Sequence, residues 1–299
     1  MTNLETKPES ANAGYHRDFH RHSVFWPRLH KRLQRSLARN GLRWTAYASA
    51  LALLREASRI TQLRMIALER KHSLAGSNSI RSLYDMWQWY DWRLKGEEWS
   101  PSPTWKQSVI QHVMLRWLEP GNTVLEIGPG VGRWTEPLRE LAGHLIVVDL
   151  SDRCIDLCRE RFQDATNMEF QINDGRTLPG VASDSVDGVW SWDVFTMVAP
   201  LDIDSYLAEL ARVMRPGGRA IIHHAKEGGK ATGLPADGWR SHMTADLFNE
   251  MLDKHRLKLV EQFDSWGPGG RFDVRKYRDV VSVFEKEPTS GRLHGAPPA

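Results

Sequence analysis

Cysteine is nearly absent from this chain of 299 residues, which holds only Cys154 and Cys158. Four apart on one predicted helix, they match neither C-x-x-C nor a paired zinc half-site, so a disulfide framework and a structural zinc are excluded. Two partly buried thiols in a reducing compartment are the expectation. A long apolar run is also missing. The longest, Ala46 to Leu54, is broken by Tyr47 and Ser49 and falls well short of the roughly 20 residues that cross a bilayer. Met1 to Gly14 has acids but no positive stretch followed by an apolar core, so no secretory leader is read there. These absences point to a cytoplasmic protein. His16, His20 and His22 have no complementary ligand cluster, and no metal is expected.

Charge of one sign is scarce overall, with a net of +3, but it is unevenly placed. Residues 1–72 carry net +9, which leaves −6 for the remainder. The basic part runs through Arg17, Arg28, Lys31, Arg35 and Arg43, with Phe25, Trp26, Leu29, Leu33 and Leu37 at nearly helical spacing. It reads as a basic amphipathic helix followed by a second helix over 45–71. Such helices pack on a neighbour, or form a peripheral membrane or protein contact. Nucleic acid is not the expected partner.

What is present in strength is the stretch Val124-Leu125-Glu126-Ile127-Gly128-Pro129-Gly130-Val131-Gly132-Arg133-Trp134, an apolar strand entering a glycine-rich turn that opens a helix. Glycine removes the Cβ that would keep a ligand from the main chain and reaches positive φ without strain. A dinucleotide turn has G-x-G-x-x-G. Here the glycines fall as Gly128, Gly130 and Gly132, and Glu126 precedes them, where a carboxylate repels a pyrophosphate but suits a cation. Strand two, His144 to Asp149, ends in an acid roughly 20 residues after the turn, as a ribose-binding carboxylate requires. A helix over 152–162 and a strand from Met168 to Ile172 lead to Asn173-Asp174-Gly175. Strand four, from Ser185, reaches Ser191-Trp192-Asp193-Val194. A helix then delivers Arg215-Pro216-Gly217-Gly218 and strand five, closed by His223-His224.

In the pattern E-x-G-x-G-x-G and the ordered motifs after it, the chain resembles the class I S-adenosylmethionine-dependent methyltransferases. The resemblance implies an α/β, doubly wound, seven-stranded, mostly parallel sheet with an antiparallel last strand, here with an N-terminal helical extension. It implies S-adenosylmethionine as cofactor, held by Glu126, Gly128, Gly130, Gly132, Asp149 with Leu150, Asp174 with Gly175, and Ser191. Asp174 matches the acid that faces the adenine amino group. The expected organisation is a disordered start over 1–14, a basic helical extension over 15–75, a tryptophan-rich cap over 76–103, the methyltransferase domain over 104–286 and a disordered tail over 287–299.

Seven of the 13 tryptophans fall between Trp87 and Trp134. Large aromatics make core, and in this density they also stack flat rings or sugar faces. Trp87, Trp89, Trp92 and Trp99, with Trp192 and His242, are therefore the expected acceptor contacts. The segment is similar to the region ahead of the cofactor domain in bacterial methyltransferases of glycan and natural-product pathways.

For a hydroxyl acceptor a base is needed. His223 or His224 leads, and since neighbours on a strand point to opposite faces only one can serve. Asp193 is the second candidate. The segment from Glu227 to Gly233 reads as a mobile lid or an exposed connection. The absence of D/N-P-P-Y/F at Ser191–Val194 disfavours base methylation. O-methylation of a small molecule or glycan is the leading reading. Amine or carboxylate methylation, and a catalytically silent scaffold docking a membrane or protein partner, are the alternatives.

Overall fold

A computed structural model describes residues 26–72, 74, 76–228 and 240–287. The expected terminal tails, His16, His20, His22 and most of the lid segment lie outside the described residues. The chain divides into two compact units, with the boundary in the N-terminal part between Leu68 and Glu69.

The first unit holds α1 (Trp26–His72) up to Leu68, interrupted by Gly41 at φ 76° and ψ 171°. These angles are open to glycine alone, and they separate two helical pieces. Ser36 Oγ and Thr45 Oγ1 lie 2.9 Å apart although nine residues separate them. A straight helix would hold them about 13 Å apart at 1.5 Å per residue, so the chain turns back at Gly41. The break therefore falls four residues before the expected start of the second helix. Leu42, Tyr47, Leu51, Leu53 and Leu54 are exposed. Among the described residues no helix is long and apolar enough to cross a membrane.

The second unit is built on a sheet of seven strands, β1 (Thr123–Ile127), β2 (His144–Asp149), β3 (Met168–Ile172), β4 (Val186–Phe195), β5 (Met214–Ala225), β6 (Leu257–Phe263) and β9 (Asp279–Lys286). Their order is β3-β2-β1-β4-β5-β9-β6. Pairing is parallel from β3 to β5, while β9 runs antiparallel between β5 and β6. A short hairpin, β7 (Ser265–Trp266) and β8 (Phe272–Asp273), lies in the connection before β9.

Alternation along each strand sorts side chains to two faces. One face gathers Leu125, Ile127, Ile146, Val148, Val189, Ala220 and Ile222 under α7 (Pro200–Val213) and α8 (Ala245–Lys254). The other gathers Val124, Leu145, Val147, Trp190, Ile221 and Val281 under α3 (Pro103–Val109) and α5 (Thr135–Leu141). Glu126, Asp149 and His223 share the parity of the second face. Ser191 and His224 share that of the first.

Caps fix the helix starts. Ser151 Oγ accepts from Cys154 N at the head of α6 (Asp152–Arg161), and the expected N-cap Thr244 accepts from Leu247 N. The helix expected over 105–118 is split by a π-helical stretch, Ile110–Met114, before α4 (Leu115–Trp117). Its wider turn rotates the following residues, so that Val109, Val113, Met114 and Leu118 are buried and Leu115, expected inward, is exposed.

Candidate active site

The turn after β1 holds all three of its glycines at positive φ, 72° at Gly128, 58° at Gly130 and 93° at Gly132. A ligand was the expected reason for their bareness, but protein neighbours already demand it. A Cβ on Gly128 would stand 2.3 Å from Val194 Cγ2, one on Gly130 2.9 Å from Trp92 Cη2, and one on Gly132 2.4 Å from Phe162 Cε2. Trp92 thus roofs the middle of the turn.

Beside this turn lie two buried acids. Glu126, paired in register with Val147 and Trp190, is 1% exposed and accepts a 2.6 Å hydrogen bond from Thr135 Oγ1. Burial pushes its pKa up to about 8, against the Thr135 hydrogen bond and with help from the Asp149 charge. Asp149 is 7% exposed, and its Oδ1 accepts from Ser151 N at 2.8 Å. Burial raises it to about 7, opposed by main-chain donors at Ser151, Gly130 and Leu150. Among the described residues neither acid has an ion-pair partner, since Arg133 is committed to Asp193. Two carboxylates held against their own desolvation, next to a positive-φ turn, fit a cationic ligand with hydroxyls to donate, and S-adenosylmethionine has both.

Four further expected contacts are otherwise engaged. Asp174 is exposed, and its Oδ1 accepts from Arg176 N, Thr177 N and Thr177 Oγ1 at 3.0, 2.7 and 2.9 Å. That oxygen shapes its own loop, and despite some burial these donors keep the acid below its ordinary pKa. Gly175, at φ 80°, packs against Ile80. Ser191 is fully buried and donates to Ile127 O at 2.9 Å, so its hydroxyl ties β4 to β1 rather than facing the crevice. Leu150 is half-buried against the apolar core of the first face.

Of the two adjacent histidines, His224 is the structural one. Nδ1 lies 2.8 Å from Ala225 O, Nε2 lies 2.7 Å from Ser282 Oγ, and the ring stacks on Phe248 at 3.9 Å. Burial lowers its pKa to about 3, which keeps it neutral with both nitrogens engaged. His223 points to the other face, among charges. Its Nδ1 is 3.2 Å from Asp193 N and 3.1 Å from Asp193 Oδ1. Its Nε2 is 3.4 Å from Asp279 Oδ2, within ion-pair reach but outside hydrogen-bond geometry. Burial alone would lower its pKa. The two carboxylates outweigh burial and raise it.

Asp193 has φ 64°, a conformation rare outside glycine that turns its side chain out of strand register. It pairs with buried Arg133, and Arg133 with His223 holds it well below the usual carboxylate range despite burial. At 30% side-chain exposure it is the accessible end of this chain of charges, whereas His223 is 2% exposed. At the other end Arg240 clasps Asp279 through Nε to Oδ1 at 2.9 Å and Nη2 to Oδ2 at 2.7 Å. No motif singles out Arg133, Asp279 or Arg240 in the sequence, although an acid opening the apolar run Val280–Phe284 is a visible signal for Asp279.

The expected aromatic contacts separate into two groups. Trp87, Trp92 and Trp99 form a cluster with Tyr90, ring centroids 4.8 to 5.7 Å apart, over Val131 and Cys154. Trp89 stands outside it at 85% exposure. Trp192 belongs to the other group, stacked on Trp190 at 5.4 Å and lying 4.7 Å from the His223 ring. His242 is half-buried on a segment pinned just beyond β4 by Ser241 N donating to Thr196 O at 2.8 Å. Among the described residues no group of three His, Cys, Asp or Glu side chains is arranged to hold a metal ion.

Known proteins similar to this chain are methyltransferases. Residues 124–218 match the family described as Methyltransferase domain. Methyltransferase GfsG of Streptomyces halstedii is 32% identical over 106 residues, 34% of this chain and 37% of that protein. Methyltransferase nsrG of Aspergillus novofumigatus is 31% identical over 111 residues, 35% of this chain and 42% of that protein. The chain thus spans less than half the length of these relatives. A chain of the complex between the Haloferax volcanii Trm112 methyltransferase activator and a methyltransferase superposes with TM-score 0.52 at 21% identity, over 69% of this chain and 98% of that one. A SAM-dependent methyltransferase from Aquifex aeolicus does so with TM-score 0.50 at 16% identity, over 66% and 99%. Residues 124–218 therefore carry a methyltransferase domain, in a chain with the class I S-adenosylmethionine-dependent methyltransferase fold.

Proposed function

We propose that the chain transfers a methyl group from S-adenosylmethionine to a hydroxyl of a small molecule or glycan. The observation that carries this reading is the pair Glu126 and Asp149, buried without a cationic partner among the described residues, on the same sheet face as His223.

When bound, the donor supplies a methyl group already activated on its sulfonium. Glu126 would hold the donor's ammonium and Asp149 its ribose hydroxyls, through oxygens that now accept from Thr135 and from main-chain N–H groups. What remains for the chain is orientation of the acceptor, which is worth about 7–11 kcal/mol in well-aligned systems. Asp193, fixed by Arg133 and too acidic to keep a proton, hydrogen-bonds the acceptor. The acceptor's proton passes through the Asp193 carboxylate to His223 behind it, whose Nδ1 faces that carboxylate. In the neutral ring Nδ1 receives the Asp193 N–H, and after protonation it faces Asp193 Oδ1 at 3.1 Å. A base of this kind contributes about 10² to 10⁴-fold, and only an acceptor that must lose a proton draws on it. A hydroxyl does, which favours it over a carboxylate. Trp87, Tyr90, Trp92 and Trp99 offer ring faces to a flat or sugar-like acceptor.

The test is transfer of labelled methyl from S-adenosylmethionine into acceptor fractions. Product label that survives mild alkali and stays with a neutral compound supports an ether. Label released as methanol supports an ester, and label on a product that gains basicity supports an amine. Either of the last two overturns the hydroxyl reading.

A further inference from the structure

The proposed reaction uses Asp193 and His223 but gives no role to the acid and base on the far side of the ring. Asp279 opens β9 and is completely buried, 0% exposed, opposite Ala225 in the antiparallel register of β5 and β9. A buried carboxylate is stable only when paired and hydrogen-bonded, and Arg240 provides a two-pronged pairing at 2.9 and 2.7 Å. The guanidinium lies against Tyr277, its carbon 5.4 Å from the ring centroid, which limits its freedom. Oδ2, the oxygen that receives Arg240 Nη2, also lies 3.4 Å from His223 Nε2. For apolar packing alone, a valine like those that follow would serve at 279 without a buried ion pair.

We infer that Asp279, oriented by Arg240, is a positioning residue that keeps the His223 proton on Nε2 and leaves Nδ1 facing Asp193 as the proton acceptor. This rests on the proposed methyl transfer for its purpose, not for its geometry. Among the described residues, Asp193 and Asp279 flank the ring on its two nitrogens. Asp193 on β4 and Asp279 on β9 favour the imidazolium, while Arg133, Arg240 and burial oppose it, and His224, next on β5, stays neutral. Trp192 closes one ring face at 4.7 Å. Asp279 touches no substrate. It acts through His223, its charge at 3.4 Å favouring the Nε2 proton that the Asp193 N–H bond to Nδ1 also requires, and stabilising the charge that appears when Nδ1 is protonated.

The experiment is nitrogen-edited NMR of the histidine rings in the full chain as a function of pH, with His223 assigned by loss of its signals in His223→Asn. In wild type the neutral ring should carry its proton on Nε2. Asp279→Asn should lower the His223 titration midpoint by about 1–3 units, the usual effect of losing one close opposite charge, and mix the two tautomers. Arg240→Gln should move the midpoint in the opposite direction, because it removes a cation and leaves the carboxylate. A purely structural Asp279 would shift neither midpoint nor tautomer in a folded variant, and that result overturns the inference. If Asp279→Asn does not fold, Arg240→Gln decides alone, with a raised midpoint supporting the inference and an unchanged or lowered one refuting it. Calorimetry of S-adenosylhomocysteine with wild type separates this outcome from the function. Absent donor binding would sink the methyl-transfer reading while the ring titration still reports on Asp279.

Discussion

Replacing Glu126 by Gln keeps the shape of the side chain and removes the charge on which donor recognition is built. With its pKa at about 8, Glu126 is only about a tenth ionised at pH 7, and ionising it for a cationic donor costs about 1.4 kcal/mol, the value of one pKa unit. Wild-type affinity should therefore tighten about tenfold between pH 7 and pH 9 from Glu126, with a further gain near pH 7 from Asp149, whose pKa is about 7. In Glu126→Gln the upper part of this dependence should vanish. The plateau affinity should drop by about 1.5–3 kcal/mol, the value of a hydrogen bond to a charged group. Titration calorimetry with S-adenosylhomocysteine, which retains the ammonium, measures both, and repeating it in buffers of different ionisation enthalpy counts the protons released on binding. The linkage has a definite sign for the ligand-free protein as well. His224, lowered to about 3, works the other way below about pH 6.5, so the two acids, which bind more protons folded than unfolded, should make stability fall as pH rises from there through about 8. His223, also raised, contributes in the same direction. Wild-type donor affinity that is flat from pH 6 to pH 9, or a Gln variant that binds like wild type, would refute this reasoning.

Asp149→Asn should weaken donor binding by about 1.5–3 kcal/mol through its lost charge, with the far-ultraviolet circular dichroism unchanged. Gly128→Ala should destabilise the fold by at least about 1–3 kcal/mol of backbone strain, and by more because its Cβ meets Val194 at 2.3 Å. Urea denaturation measures that loss, and an unchanged midpoint would contradict the packing described for the turn. Trp92→Ala, which empties a buried site, should cost about 3–5 kcal/mol, whereas Trp89→Ala, at 85% exposure, should leave the same midpoint within about 0.5 kcal/mol.

How much of this was legible depends on how local each feature is. Strand alternation, the glycine spacing and the acids at the ends of β1 and β2 are short-range patterns, and they placed Glu126 and Asp149 correctly beside the turn. Period two also held the information that sets Ser191 and His224 apart. Their parity with Val189 and Ile222 assigns them to the opposite face; alternation already separates His223 from His224 in the sequence, and the sheet shows which of the two faces the crevice. The partners of His223 were less accessible. Asp193 leaves strand register through its positive φ, and Asp279 reaches His223 only because β9 inserts antiparallel beside β5, across 56 residues of chain. Arg240 then closes on Asp279 from 39 residues away. Such meetings arise from topology, which no periodicity encodes. The same holds for Trp92 on Gly130 and for the π-helical turn at Ile110–Met114, whose phase shift exposes Leu115.

The most direct measurement of the central claim is a crystal structure of the full chain with S-adenosylhomocysteine at a pH above about 8, where both acids are ionised. The account predicts the ribose hydroxyls on the Asp149 carboxylate and the amino-acid end beside Glu126 and the turn from Gly128 to Gly132. A turn still covered by Trp92, with no nucleoside density against Asp149, would contradict it.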